Sequence, residues 1–154
     1  MRFRISLSAA LSSNVELVYR PNDYAFAVEP QPNGGITSAV VNTLSLELDP
    51  TGKIIHVWGY CPYMGWKDGN LIPPTTQNAV EFFIPDSPLL RGVSISINDG
   101  RNPWPVFVDR SSGWVRVTSD RVAVSSAEIM QGVIVELTED GSLSALWLKP
   151  KGLP

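Results

Sequence analysis

The chain has 154 residues, 44% of them hydrophobic and 18% charged, with a net charge of −3. That length suits one domain with a core large enough to need no metal or disulfide staple. The acidic balance and the lack of any Lys/Arg run argue against nucleic-acid binding. No apolar run approaches the ~18–20 residues that span a bilayer, and a single cysteine excludes an internal disulfide.

Along the chain, "MRFRISLSAALSS" has the basic start of a signal peptide. Its apolar stretch is short, however, and broken by Ser6, Ser8, Ser12 and Ser13, while Phe3, Ile5 and Leu7 alternate. It is expected to be the first strand of a cytoplasmic protein. "RPNDY" (20–24) reads as a hairpin turn with Asp23 in the left-handed position. Leu44, Leu46 and Leu48 alternate with Ser45 and Glu47, which places one face on a core and the other toward water. "DPTGK" (49–53) then puts glycine in the fourth place, as a type I turn followed by a left-handed residue requires. The strand "KIIHVWGY" follows.

The long excursion "GYCPYMGWKDGNLIPPTTQN" leads into the strand "AVEFFIP". "DSPLLRG" (86–92) has Ser then Pro at a plausible start of one helical turn, with Gly92 as its stop. Val93, Ile95 and Ile97 alternate with serines and Asn98. "RSSGW" (110–114) and "TEDGS" (138–142) repeat the glycine-turn grammar. "SSAEIMQG" (125–132) has the Ser-to-Glu spacing of a capping box and a terminal glycine, so a second short helix is expected there. The fold class is therefore all-β and mainly antiparallel: a β-sandwich or closed barrel of about ten strands with one or two short helices, in a single domain spanning 1–154.

Two stretches align. "NTLSLELDPTGKIIHVW" over "QGVIVELTEDGSLSALW" matches Glu47, Leu48, Gly52 and Trp58 with Glu136, Leu137, Gly141 and Trp147, at a constant separation of 89 (136 − 47, 147 − 58). Upstream the register becomes 90, pairing Val18 with Val108 and Arg20 with Arg110. The alignment suggests an internal duplication, 3–58 related to 93–147, as two five-strand halves about a pseudo-twofold. The alternative is that any two alternating hairpins align this well. On this alignment Trp58, opposite Trp147, is expected in the core.

Most catalytic chemistry lacks its residues. His56 is the only histidine and lies in a strand, opposite Ala145 of the second half; Ser-His-Asp and Cys-His mechanisms would both need it as the base. Cys61 is five residues away, on the opposite face of an extended strand. One Cys and one His cannot complete a structural zinc site. No phosphate-binding or dinucleotide glycine motif is present. "NDGRNPWP" lacks the alternating oxygen ligands of a calcium loop. A glycosidase-type carboxylate pair from separate strands is left open.

The remaining signal is aromatic. Tyr60, Tyr63 and Trp66, with Asp68 nearby, populate the long excursion, and Trp104 marks a second patch in "GRNPWPVF". Tyr and Trp dominate protein-binding hot spots, and long loops in compact domains are often functional. Two readings stand for the loop: a lid over the sheet's own end, with Lys67 and Asp68 in one more glycine turn, or a partner surface. For Trp104 the bland counterpart is a proline-flanked strand start.

A compact acidic β domain with no catalytic signature and an aromatic loop resembles bacterial immunity proteins, such as those paired with contact-dependent growth-inhibition toxins. The resemblance is one of size, charge and type across the whole chain, and no site residue follows from it. It implies a non-enzymatic inhibitor that docks on or beside the active site of a basic, nuclease-type toxin. The expectation is thus a partner-binding protein that uses Tyr60, Tyr63, Trp66, Asp68 and Trp104, with no cofactor, metal, nucleic acid or membrane. Two competing classes are an enzyme or small-ligand protein with carboxylates in a cavity, and a structural assembly subunit.

Overall fold

The computed structural model describes residues 2–8 and 14–154. Strand β1 (Arg2–Leu7) precedes a hairpin, β2 (Glu16–Arg20) and β3 (Ala25–Glu29), and a meander, β4 (Thr37–Val41), β5 (Leu44–Leu48) and β6 (Ile54–Tyr60). After β7 (Lys67–Asp68), β8 (Gln77–Ile84) and β9 (Ile95–Ser96) the succession recurs. A hairpin, β10 (Val106–Asp109) and β11 (Trp114–Thr118), leads to a meander, β12 (Ser125–Met130), β13 (Val133–Leu137) and β14 (Leu143–Leu148). The expected first strand is β1; Ser12 and Ser13 of that stretch lie outside the described residues.

The strands form two open sheets in a sandwich-like layout rather than a closed barrel. Sheet I has the order β2-β3-β6-β5-β4-β9, and sheet II the order β1-β8-β12-β13-β14-β11-β10-β7. Among the described residues, pairing between these strands is antiparallel apart from three two-residue parallel contacts, β7–β10, β8–β12 and β4–β9, and Val18 of β2 makes a further parallel bridge to Lys151. Period-two alternation aims Leu17, Tyr19, Phe26, Leu44, Leu46 and Val57 of sheet I at Val115, Val117, Val133, Val135, Leu146 and Leu148 of sheet II, in one shared core.

The two meanders have the same register. Leu44 pairs with Gly59, Ser45 with Trp58 and Glu47 with His56; 89 residues on, Val133 pairs with Leu148, Ile134 with Trp147 and Glu136 with Ala145. Both pairings carry an irregularity at the same place, between Glu47 and Leu48 and between Glu136 and Leu137. The hairpins close four-residue loops between Arg20 and Ala25 and between Asp109 and Trp114, which again stand 89 apart rather than 90. The left-handed residue of the first loop is accordingly Tyr24 (φ 54°), where the second has Gly113 (φ 87°), and not Asp23. The short 3-10 turn Pro21–Asp23 places it there.

β1 and β8 join the halves. Phe3 pairs with Phe83 across this ribbon, with ring centroids 5.4 Å apart. The Phe3 N–H donates to the Gly141 carbonyl at 2.7 Å, and the Phe83 N–H to the Gly52 carbonyl at 2.8 Å. Both glycines have left-handed φ, 85° at Gly52 and 84° at Gly141. A Cβ on Gly52 would stand 2.5 Å from the Phe83 carbonyl oxygen, and one on Gly141 3.1 Å from that of Phe3. Glycine is thus needed for conformation and for close approach together.

Neither expected helix forms. Residues 125–130 are β12, held between β13 and β8 with Ala127 and Met130 buried, so strand partners on both sides outweigh the capping-box spacing. Gly132 (φ 81°) is a residue of the β12–β13 turn, not a helix stop. "DSPLLRG" is a turn segment anchored by the Gly92 N–H on the Ile36 carbonyl at 2.8 Å and by Leu89 against the core. Helical structure is confined to two 3-10 turns among the described residues, Pro21–Asp23 and Tyr63–Gly65, and no helix is long and apolar enough to cross a membrane.

Candidate partner-binding face

The excursion after β6 does two jobs. Its first part folds inward. The Trp66 ring lies 4.9 Å from Tyr19 and 6.0 Å from Phe26, Tyr63 packs beside them, and the Trp66 indole N–H points to Cys61 Sγ at 3.4 Å. Burial pushes the Cys61 thiol up to about 11 and the Tyr19 phenol to about 12, against ordinary values of 9 and 10. Tyr63 and Trp66 therefore close the core at this end. Lys67 and Asp68 do not make a glycine turn: they run parallel to β10 as β7, and Asp68 pairs with Arg110.

The second part crosses the outer face of sheet II as a strap. Leu71 packs on Trp114, Ile134, Ala145 and Trp147, and its N–H donates to Asp109 Oδ2 at 3.0 Å. Asp109 also accepts from the Ser111 hydroxyl and the Ser111 and Ser112 amides. These bonds, led by the Ser111 hydroxyl and then the Leu71 amide, hold its carboxyl down at about 2.

Among the described residues, no counterpart of this strap lies over Trp58 on the outer face of sheet I, where the segment after β3 reaches only Gln31, in the groove lining, and Gly35, against Glu47. His56, Trp58 and Tyr60 alternate along β6 and share that face. Trp58 is 45% exposed and Tyr60 51%, whereas Trp147 is 3% exposed. The expectation that Trp58 is core is thus corrected: both tryptophans point outward, and among the described residues Leu71 covers Trp147 while Trp58 stays 45% exposed. With Arg20, Asp23, Ala25, Ala27 and Glu29, this face forms a groove of about 490 Å3. Its floor is small, because Ala25 and Ala27 stand where sheet II has Trp114 and Arg116. Tyr24, 36% exposed, lies edge-on to Tyr60 at 6.3 Å and extends the aromatic surface past the rim.

Trp58 is fixed by Glu47, whose Oε2 accepts the indole N–H at 3.0 Å. Beneath, His56 is 3% exposed, its Nδ1 has no partner among the described residues, and burial lowers its pKa against the opposing pull of Glu47. His56 lines the outer groove while Cys61 belongs to the core, so the two are not brought together.

Of the residues expected from sequence, Tyr60, Tyr63 and Trp66 gather with Tyr24 at one end of the sandwich, and only Tyr60 faces outward. Asp68 is on the far edge of sheet II. Trp104 is half-buried against the core, its N–H and carbonyl both bonded to the Asn42 side chain at 2.8 and 2.9 Å. Sequence reasoning missed Trp58, Glu47 and the alanine floor. The available signal was the period-two spacing of His56, Trp58 and Tyr60.

A wider cleft of about 780 Å3 at the sandwich edge holds Glu16, Glu29 and Glu128. Glu16 and Glu29 are directly opposite in the β2–β3 register, and each is ion-paired, to Lys151 and Arg20 respectively. Such flanking cations relieve the like-charge repulsion of a cross-strand pair. Among the described residues no cluster of three or more His, Cys, Asp or Glu side chains is arranged to hold a metal ion. No known family and no characterised protein compared with the chain matches it.

Proposed function

We propose that this chain is a non-enzymatic protein-binding domain that docks its partner on the outer face of sheet I, around Trp58, Tyr60 and Tyr24. One observation carries this: two exposed aromatics stand over an alanine floor at the positions where sheet II is sealed by the chain's own strap. Tyr and Trp supply large contact area at low entropic cost, and binding hot spots are enriched in them. The recurring register supports an origin by duplication of one five-stranded unit, with one copy strapped and the other left open to bind. The narrower reading, an immunity-type inhibitor of a basic toxin, is supported by the excess of 15 acidic over 12 basic residues and by the resemblance described above.

The test is site-specific photocross-linking in the native host. Benzoylphenylalanine placed at Tyr60 is expected to trap one protein stoichiometrically, while the same group at Val122, 80% exposed on a loop of sheet II, traps none. Trp58→Ala should then weaken the purified complex by about 2 kcal/mol or more. Equal trapping at both positions, or unchanged affinity in Trp58→Ala, would sink the proposal.

A further inference from the structure

The outer faces of the two sheets can be compared residue by residue, because their registers coincide. On sheet II, Arg116 pairs with Trp147 across β11–β14. Its guanidinium carbon sits 5.0 Å from the centre of the Trp147 ring, and its Nη2 lies 3.4 Å from Glu136 Oε1. The Trp147 indole N–H donates to that same carboxylate. Tryptophan, glutamate and arginine thus form a closed triad, in which the cation is stacked on an indole and neutralised by a carboxylate.

Sheet I keeps two members of the triad. Trp58 and Glu47 are hydrogen-bonded as Trp147 and Glu136 are. The third place is empty: Ala27 stands 89 residues before Arg116, and the β3–β6 register, Ala25 with Tyr60 and Phe26 with Gly59, sets Ala27 beside Trp58. Ala27 and Trp58 line the same groove. Glu47 has no ion pair among the described residues, whereas the nearby Arg20 is already neutralised by Glu29. Glycine at 35 leaves room for the Glu47 carboxylate, since a Cβ there would lie 2.4 Å from Oε1.

The geometry points to a receptor for an arginine side chain of the protein partner, which stacks on Trp58 and pairs with Glu47 in the space above Ala27. This deepens, and rests on, the assignment of this face as the docking surface. Arginine is preferred to lysine because its planar group stacks and bonds at once. The occupant agrees in sign with a basic partner for an acidic chain.

The test uses the intact, 15N-labelled chain titrated with the peptide acetyl-Gly-Arg-Gly-amide, with the Trp58 indole N–H as reporter and that of Trp147 as internal control. The arginine peptide is expected to shift the Trp58 signal saturably and leave Trp147 unmoved. Its citrulline counterpart, the same shape without charge, should bind about tenfold more weakly or not at all. Glu47→Gln, which keeps an acceptor for the indole, should lose the response. Ala27→Arg should move the Trp58 signal before any peptide is added and abolish further response.

Equal binding of arginine and citrulline peptides, or a response that survives Glu47→Gln, would overturn the assignment. Absence of any Trp58 response, while the Tyr60 cross-link still traps a partner, would show the face to be right and arginine to be the wrong occupant. Absence of both would remove the docking face as well.

Discussion

Glu81 places a carboxyl group inside the core. It lies on β8 between the buried Ala79 and Phe83, is fully buried, and neither carboxyl oxygen has a hydrogen-bond partner among the described residues. Burial pushes its pKa up to about 8 from an ordinary 4.5. Between those values the folded chain holds a proton that the unfolded chain has released. This contribution to stability is therefore complete below about pH 4.5 and is lost as the pH rises toward 8, at ~1.4 kcal/mol per unit, or roughly 3 kcal/mol by pH 7. Urea unfolding of wild type and Glu81→Gln at pH 5, 7 and 9 checks this. The variant should gain on the wild type steadily as pH rises; a constant difference would show that Glu81 does not titrate in this range. The two outward tryptophans give a second contrast. Trp147→Ala should cost about 3–5 kcal/mol, as for a buried aromatic, while Trp58→Ala should cost under about 1 kcal/mol. Equal losses in denaturant unfolding would mean that Trp58 is structural after all.

At the scale of elements, the strands and glycine turns were legible because their physics is local. Alternation fixes which side of a strand meets the core, and Gly52, Gly113 and Gly141 all take the left-handed conformation that their turns need. The helix expected over 125–132 failed because its capping signal competes with strand pairing on both sides, to the adjacent hairpin partner β13 and to β8, which lies far away in sequence. The exposure of Trp58 was illegible for a related reason. Its strand and that of Trp147 read alike, and what separates them is where residues 69–76 travel after leaving the first half. That strap depends on Asp109. Asp109→Ala should speed amide hydrogen exchange at Leu71, while Gly69, whose N–H is held by the Val108 carbonyl at 3.0 Å, keeps its protection. Because Asp109 stays ionised down to about pH 2, the wild-type strap should hold in acid and release only as pH falls through that value. Unchanged Leu71 exchange in the variant would assign the strap's hold to Leu71 packing alone.

At the scale of the whole molecule, the two halves look separable but exchange their closing contacts. The β1 strand precedes the first hairpin in sequence, yet its Phe3 amide caps the Gly141 turn of the second half. β8 precedes the second hairpin, and its Phe83 amide caps the Gly52 turn of the first. The chain passes from one sheet to the other between Trp66, packed on Tyr19 and Phe26, and Lys67, paired with β10. A cut there gives fragment 1–66, with sheet I except β9 and with β1 of sheet II, and fragment 67–154, with the rest of sheet II and β9, each left with part of the shared core and one uncapped turn. Exposing that much apolar surface leaves too little burial to offset the entropy of ordering either chain. Each fragment alone is expected to lack the dispersed amide spectrum and near-ultraviolet ellipticity of a packed core. Mixed from denaturant in equal amounts, they should recover both, because the cut crosses no strand. A natively dispersed spectrum from 67–154 alone would show that β1 is dispensable to the strapped half. A natively dispersed spectrum from 1–66 alone would show in the same way that the open face of sheet I sits on a unit whose stability is its own rather than borrowed across the Phe3–Phe83 seam.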